Sequence, residues 1–368
     1  MVLGTVMTAP ASNTNYPVTL SHLVAREDEA MVAGNRLQLS RVFLSSDGTS
    51  ARVAWRRSLY FRSWAKARGI TLRGVAVRIH IDDLKAWEGS AAIKARVGEE
   101  FLYSYADDPS KCYRFGLGVH HQYDLQRLAS GAWRIANDDC FPPADWRTIE
   151  PGVVHGHHAV ELSLPRITAQ AYADQFCGAA PQCGNGKQYN SAYNDYNDAG
   201  GDCTAFVSQV LHAAGFAETS EWRYNPQTQL GTEAWSNAGS FTRYLSMSGR
   251  ASLLAKGDFE QMLMPSQKYP QDPLDALQVG DLITNFRHGR MQHSGIVVGF
   301  DAHGYPLVDA HSSDRYHVPF DLNWDAKTTY YLWKVHYRLA AQAPKAPSPG
   351  DHTARAFRSR RVSRNPLG

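Results

Sequence analysis

Two consecutive glycines at positions 200 and 201, followed by Asp202-Cys203-Thr204-Ala205-Phe206-Val207-Ser208-Gln209, constrain this chain more than any other stretch. The glycines permit a tight turn and Asp202 is a good N-cap, so the pattern predicts a helix with a cysteine in its first turn. Phe206, Val207, Val210, Leu211 and Ala214 then recur at helical spacing until Gly215 supplies a stop. Such a helix must bury its apolar side against another layer. A thiol at its start meets the partial positive charge and free N–H groups of the helix end, which stabilise a thiolate. Cys203 is therefore expected to be a nucleophile rather than a packing residue.

A base for that nucleophile is found downstream. Gln292-His293-Ser294-Gly295-Ile296-Val297-Val298-Gly299-Phe300 and Leu307-Val308-Asp309-Ala310-His311-Ser312 are β-rich runs separated by a Gly/Pro turn at Gly304-Tyr305-Pro306. They read as an antiparallel hairpin, which returns the end of the second strand beside His293. A Cys–His pair oriented by a third polar group is the logic of an activated nucleophile. Asp309 and His311 share one strand face, and either can hold the imidazole; spacing does not choose between them.

Several further motifs lie in a fixed order around these two residues. They are Tyr189-Asn190-x-x-Tyr193-x-x-Tyr196, Trp235-Ser236-Asn237, Gly280-Asp281-Leu282-Ile283, His293-Ser294-Gly295-Ile296-Val297 and His311-Ser312-Ser313-Asp314. Together with the Cys203 run they resemble the putative amidase domain family, itself similar to the papain-like NlpC/P60 and CHAP cysteine hydrolases. The resemblance covers about residues 165–338. It implies a circularly permuted papain-like fold, with a nucleophile helix packed on an antiparallel sheet that carries the histidine. It also implies cysteine-dependent hydrolysis of an amide through a thioester, on a bacterial amide or peptide related to peptidoglycan. By position, Cys203 is the implied nucleophile and His293 the base. The third polar position falls on Asp309 or His311, and Asp309 departs from the Asn or His that relatives carry. Tyr193 and Tyr196 stand where relatives place a tyrosine that helps the Cys203 N–H form the oxyanion hole, with Asp202 in support. A catalytically silent cell-wall or peptide-binding module is the alternative.

Other chemistries have weaker marks. His288, His293, His303, His311 and His317 cluster in sequence, but without an HExxH or Cys-x-x-Cys spacing. No glycine-rich phosphate loop is present. Neither a metal nor any other cofactor is expected. The chain has a formal net charge of +3, too small to argue for nucleic acid. No apolar run of about 18 residues predicts a transmembrane helix.

A length of 368 residues predicts two domains, each with its own core, and the composition (43% hydrophobic, 20% charged) is that of a globular chain. The expected class is α+β. Residues 18–150 read as an accessory domain, with helices over His22–Val42 and Ala51–Arg68. Strands follow, in which Val75, Val77, Ile79 and Ile81, then Phe101, Tyr103 and Tyr105, then Tyr113, Phe115, Leu117 and Val119 alternate. This helix-plus-antiparallel-sheet order resembles the cystatin and nuclear-transport-factor-2-like modules. His120 and His121 on a strand are expected to face solvent. Residues 151–164 form a connection and 165–338 the amidase-like domain. Residues 339–368, rich in Pro, Ala, Ser and Arg, read as a disordered basic tail. Residues 1–17 hold a possible signal remnant around Ala9-Pro10-Ala11, lacking the basic start and apolar core.

The five cysteines fit a location outside the cytoplasm: one nucleophile and two potential pairs. Cys177 and Cys183 bracket a short Gly/Pro loop and are expected to close it. A turn at Ser130-Gly131 sets Cys140 opposite His121, roughly 30 Å along the strand from Cys112. That separation argues against pairing those two, unless the strand breaks at Gly116 or Gly118.

Overall fold

Asn15 starts the first helix by accepting the N–H of Val18, and α1 (Tyr16–Ala33) ends where Gly34 turns left-handed at φ +65°. Asn35 then caps a second short helix, α2 (Arg36–Ser40), by accepting the N–H of Gln38. The single helix expected over His22–Val42 is therefore split by this stop-and-start pair, and α3 (Thr49–Ala67) follows close to its expected span. The computed structural model describes residues 14–140, 149–154, 160–183 and 189–337. The signal remnant and the basic tail fall largely outside these residues, as do Pro142-Pro143 and the histidines at 155, 157 and 158.

The strands β1 (Ile70–Trp87), β2 (Ser90–Tyr105), β3 (Tyr113–Arg127) and β4 (Trp133–Cys140) form an antiparallel meander. His121 lies opposite Cys140, the register that the Ser130-Gly131 turn predicts. β3 does not break at Gly116 or Gly118. Those glycines and Gly98 pave a surface where an added Cβ would meet the backbone of Ala179 or Pro181 at 2.7–2.8 Å. Their reason is close approach of another segment. His121 departs from expectation: its side chain is buried, 2.7 Å from Asp138 and stacked on Tyr123.

The second half begins with α4 (Leu164–Phe176) and α5 (Cys203–Ala213). A two-stranded ribbon of β5 (Tyr224–Asn225) and β6 (Leu230–Gly231) leads to α6 (Glu233–Ser236) and α7 (Ala238–Ser248). Then come β7 (Ala251–Gly257), α8 (Phe259–Met262), β8 (Leu282–Arg287) and β9 (Arg290–Phe300). β10 (Pro306–Ala310), β11 (Asp314–Pro319) and β12 (Thr329–Val335) complete the chain's strands among the described residues. The β9–β10 hairpin forms as the sequence predicts.

The class is α+β with one large antiparallel sheet. Its order is β1-β2-β3-β11-β10-β9-β8-β12-β7, with β4 on β3. The β3–β11 pairing, Asp314 opposite Gly118 and Tyr316 opposite Gly116, makes the sheet continuous across both halves. Side-chain alternation then assigns two faces. Leu282, Ile296 and Val298 pack with Phe206, Val207 and Val210 of α5 and Trp235 of α6. Ile283, Val297 and Val308 pack in a core shared with Tyr60, Phe61 and Trp64 of α3 and Phe101 of β2. The sequence boundary near residue 150 is thus crossed by both a sheet and a core, whereas separate cores were expected. A further core joins α1, α2 and α3 to β2 and β4. Among the described residues no helix is long and apolar enough to cross a membrane.

Candidate active site

The turn before α5 is as its glycines require: Gly200 and Gly201 adopt φ of +109° and +123° and deliver Cys203 as the first helical residue. Asp202 holds the N-cap position, yet its carboxylate does not cap the helix. Oδ1 accepts the Tyr196 N–H at 3.1 Å, and Oδ2 meets His311 Nδ1 at 2.5 Å. The start of α5 is consequently left without a side-chain cap, a helix end of the kind that stabilises negative charge.

The sulfur of Cys203 lies 3.8 Å from Thr204 Oγ1. Thr204 Oγ1 ties α5 to β9 through Ser294 Oγ at 3.1 Å. Burial pushes the Cys203 thiol above its ordinary pKa, and the Ser294 N–H and Thr204 beside it offset this only in part. The low-pKa thiolate expected from the helix end is corrected accordingly: Cys203 is 7% exposed, and desolvation outweighs the dipole.

His293 alternates with Ser294, so it lies on the face of β9 that carries Val297, with its ring 5.5 Å from that of Trp324. Burial, then the charge of Arg315, push its pKa down to about 3, so the imidazole is neutral and resists protonation in the folded chain. No hydrogen bond joins it to Cys203 among the described residues, and its Nε2 is buried without a partner. Directly opposite on β8 is Asn285, whose Nδ2 is also buried and unpartnered. Turning that amide would offer Oδ1 to an imidazole N–H. Sequence reasoning passed over Asn285: counting from the His288-Gly289 turn sets it opposite Gln292, and a register shift between Asn285 and Phe286 places His293 there instead.

This environment has a pH signature. The folded pKa of His293 lies below its ordinary value of 6.5, so the unfolded chain binds a proton that the folded chain refuses. Stability is therefore lost as pH falls from 6.5 toward 3. Urea unfolding of His293→Gln is expected to show a slope shallower than the unsubstituted chain's by about 1.4 kcal/mol per pH unit in that window. Parallel slopes would contradict a buried neutral imidazole.

Asp309 and His311, the expected partners of His293, are directed elsewhere. β10 shifts register between Leu307 and Val308 and pairs as far as Asp309 opposite Ile296, and the chain then leaves the ladder at Ser312 and Ser313, which have φ of +64° and +138°. Asp309 Oδ1 accepts the His317 N–H at 2.7 Å; burial raises its carboxyl pKa well above the usual range, with Asp174 adding to the effect. His311 has both nitrogens engaged, Nδ1 with Asp202 and Nε2 donating to the Phe176 carbonyl at 2.6 Å. Its ring is stacked between Tyr189 and Phe206. It anchors the start of α5 rather than His293.

The two tyrosines also differ from expectation. Tyr193 Oη meets His212 Nδ1 at 3.0 Å, and Tyr196 Oη accepts the Gly231 N–H at 2.8 Å, so both hydroxyls are committed away from Cys203. Asp281 of the Gly280-Asp281 motif is structural: it pairs with buried Arg166 at 3.0 Å and accepts the N–H groups of Gln278 and Val335. Cys177 and Cys183 are free, buried thiols rather than a bridge, donating to the Asp174 and Gln175 carbonyls, and Cys112 is free and exposed.

Comparison with known proteins adds the following. The chain is 31% identical over 130 residues to the Bacillus subtilis (strain 168) protein named "Uncharacterized protein YjcM", covering 35% of this chain and 28% of that one. It is 29% identical over 164 residues to "Uncharacterized protein YhbB" of the same organism, covering 40% of this chain and 42% of that one. The matched segments thus span less than half of either relative. Among solved structures, the intermembrane space region of chloroplast protein ARC6 aligns with 34% of this chain and 96% of that chain, at TM-score 0.25 and 14% identity. Residues 163–333, which hold Cys203, His293 and Asn285, match the amidase family whose model is described as "Putative amidase domain".

Proposed function

We propose that the segment 163–333 is a cysteine-dependent amide hydrolase built on a permuted papain-like arrangement. The observation that carries this reading is the Cys203 thiol at the uncapped start of α5, a helix start that Thr204 Oγ1 ties through Ser294 Oγ to the strand that carries His293. Cys203 Sγ attacks the amide carbonyl while neutral His293 takes the thiol proton and returns it to the leaving amine. The oxyanion is met by the Cys203 N–H at the helix start. Water, deprotonated by His293, then hydrolyses the thioester and releases the acid. Asn285 orients the imidazole. The resemblance makes peptide amides of the bacterial cell wall the first substrates to test, outside the cytoplasm, with the N-terminal meander as a cystatin-like or nuclear-transport-factor-2-like extension of the same sheet.

The test is release of a new amine from a panel of cell-wall peptides and small amides by the full chain. A second reading, a silent peptide-binding module, draws on the raised pKa of Cys203 and on a separate cavity of about 750 Å³ lined in part by Arg36, Arg52, Trp55 and Arg56. Binding of a panel peptide without amine release would favour it.

A further inference from the structure

Asp309, freed from any role beside His293, stands in a different constellation. Asp174 in the last turn of α4, Asp309 on β10 and His317 on β11 each present one potential ligand atom, all within 4.8 Å of one another. His317 Nε2 and Asp174 Oδ1 are 2.9 Å apart. Ligands adjacent to one another on an ion with bonds of about 2.1 Å are separated by about 3.0–3.4 Å. Asp309 is fully buried; its Oδ1 is used by the His317 N–H, and its Oδ2 has no partner. A buried carboxylate oxygen without a donor is costly unless a cation or donor reaches it.

We propose that Asp174, Asp309 and His317 bind a divalent transition-metal ion, zinc or manganese, that clamps α4 to β10 and β11. Two carboxylates neutralise the charge of such an ion and suit manganese, and the imidazole favours zinc over magnesium or calcium. Asp174 and His317 side chains are 31% and 23% exposed, so the ion has an entry path and room for water as remaining ligands. The nearby thiols are engaged otherwise, Cys183 donating to the Gln175 carbonyl and Cys177 to that of Asp174. This site is independent of the hydrolase reading and lies apart from Cys203 and His293 in its hydrogen bonds.

The test uses the full chain stripped with chelator, titrated calorimetrically with zinc chloride and manganese chloride, with magnesium chloride as control. One equivalent of zinc or manganese is expected to bind at micromolar affinity or better, and a hundredfold excess over Kd to raise Tm by about 3–4 °C. His317→Gln and Asp174→Asn, both at partly exposed positions, are expected to weaken binding at least tenfold while keeping the far-ultraviolet spectrum. Cobalt substitution should give d–d bands without a thiolate charge-transfer band. Absence of saturable binding, binding unchanged in both variants, or a thiolate band lost in Cys177→Ser or Cys183→Ser would overturn the proposal.

Discussion

Replacing Cys203 by alanine is expected to lower amide hydrolysis by at least about 10³-fold, with KM for any surviving substrate little changed. No other described thiol occupies a helix start beside a strand histidine: Cys177 and Cys183 are buried and donate to backbone carbonyls, and Cys112 is exposed. The loss is therefore chemical rather than structural. Alanine removes one sulfur from a small buried site, and Thr204 and Ser294 still tie α5 to β9 through their hydroxyls. The check is steady-state amine release with unfolding curves for both proteins. Retained hydrolysis would remove Cys203 from the reaction.

The largest expected effect on stability belongs to Asp321. This buried carboxylate accepts Trp64 Nε1–H at 3.1 Å, Arg68 Nη2 at 2.7 Å and the Tyr305 hydroxyl. Trp64 and Arg68 come from the N-terminal half and Tyr305 and Asp321 from the C-terminal half, so the cluster sits where the shared core joins them. Arg68 is itself buried, with its guanidinium 3.5 Å from the centre of the Phe259 ring. Asp321→Ala leaves that charge without its counter-ion and is expected to cost about 3–5 kcal/mol. Because the sheet and core are continuous, the loss should appear in a single unfolding transition seen alike by tryptophan fluorescence and far-ultraviolet dichroism. A cost under about 1 kcal/mol, or two separate transitions, would contradict the shared core.

What was legible in the sequence followed from local rules. The glycine pair, Asp202 and the apolar spacing gave the start and stop of α5, because turn and cap chemistry act within a few residues. The β9–β10 hairpin and the His121–Cys140 register followed in the same way from turn positions. The partner of His293 was not legible, because it depends on where the chain leaves the ladder at Ser312 and Ser313. That exit sends His311 to Asp202 and Asp309 to His317. The union of the two halves rests on edge pairing of β3 with β11, which strand alternation does not encode. A break at Gly116 or Gly118 stayed open as one of two alternatives because the segment Ala179–Pro181 that lies on them is about 60 residues away in sequence.

Charges inside helices were equally opaque. Glu27 and Asp28 of α1 carry no mark in the sequence that predicts their burial. In the folded chain both are buried, with Arg57 of α3 reaching Asp28 at 3.4 Å and Glu99 Oε1 of β2 at 2.7 Å. Burial first, with Asp138 and Glu99 adding, pushes Glu27 up to about 8. Tertiary placement, not helix periodicity, decides such groups.

The central claim is that Cys203 reacts through His293, and site-resolved alkylation with iodoacetamide near neutral pH tests it without knowledge of the substrate. Cys112 serves as the internal control, being free and exposed. Cys203 should alkylate at a measurable rate that falls at least about tenfold in His293→Ala, while Cys112 reacts identically in both proteins. A Cys203 rate unaffected by His293→Ala, or a Cys203 that stays unmodified when Cys112 has reacted fully, would contradict the account.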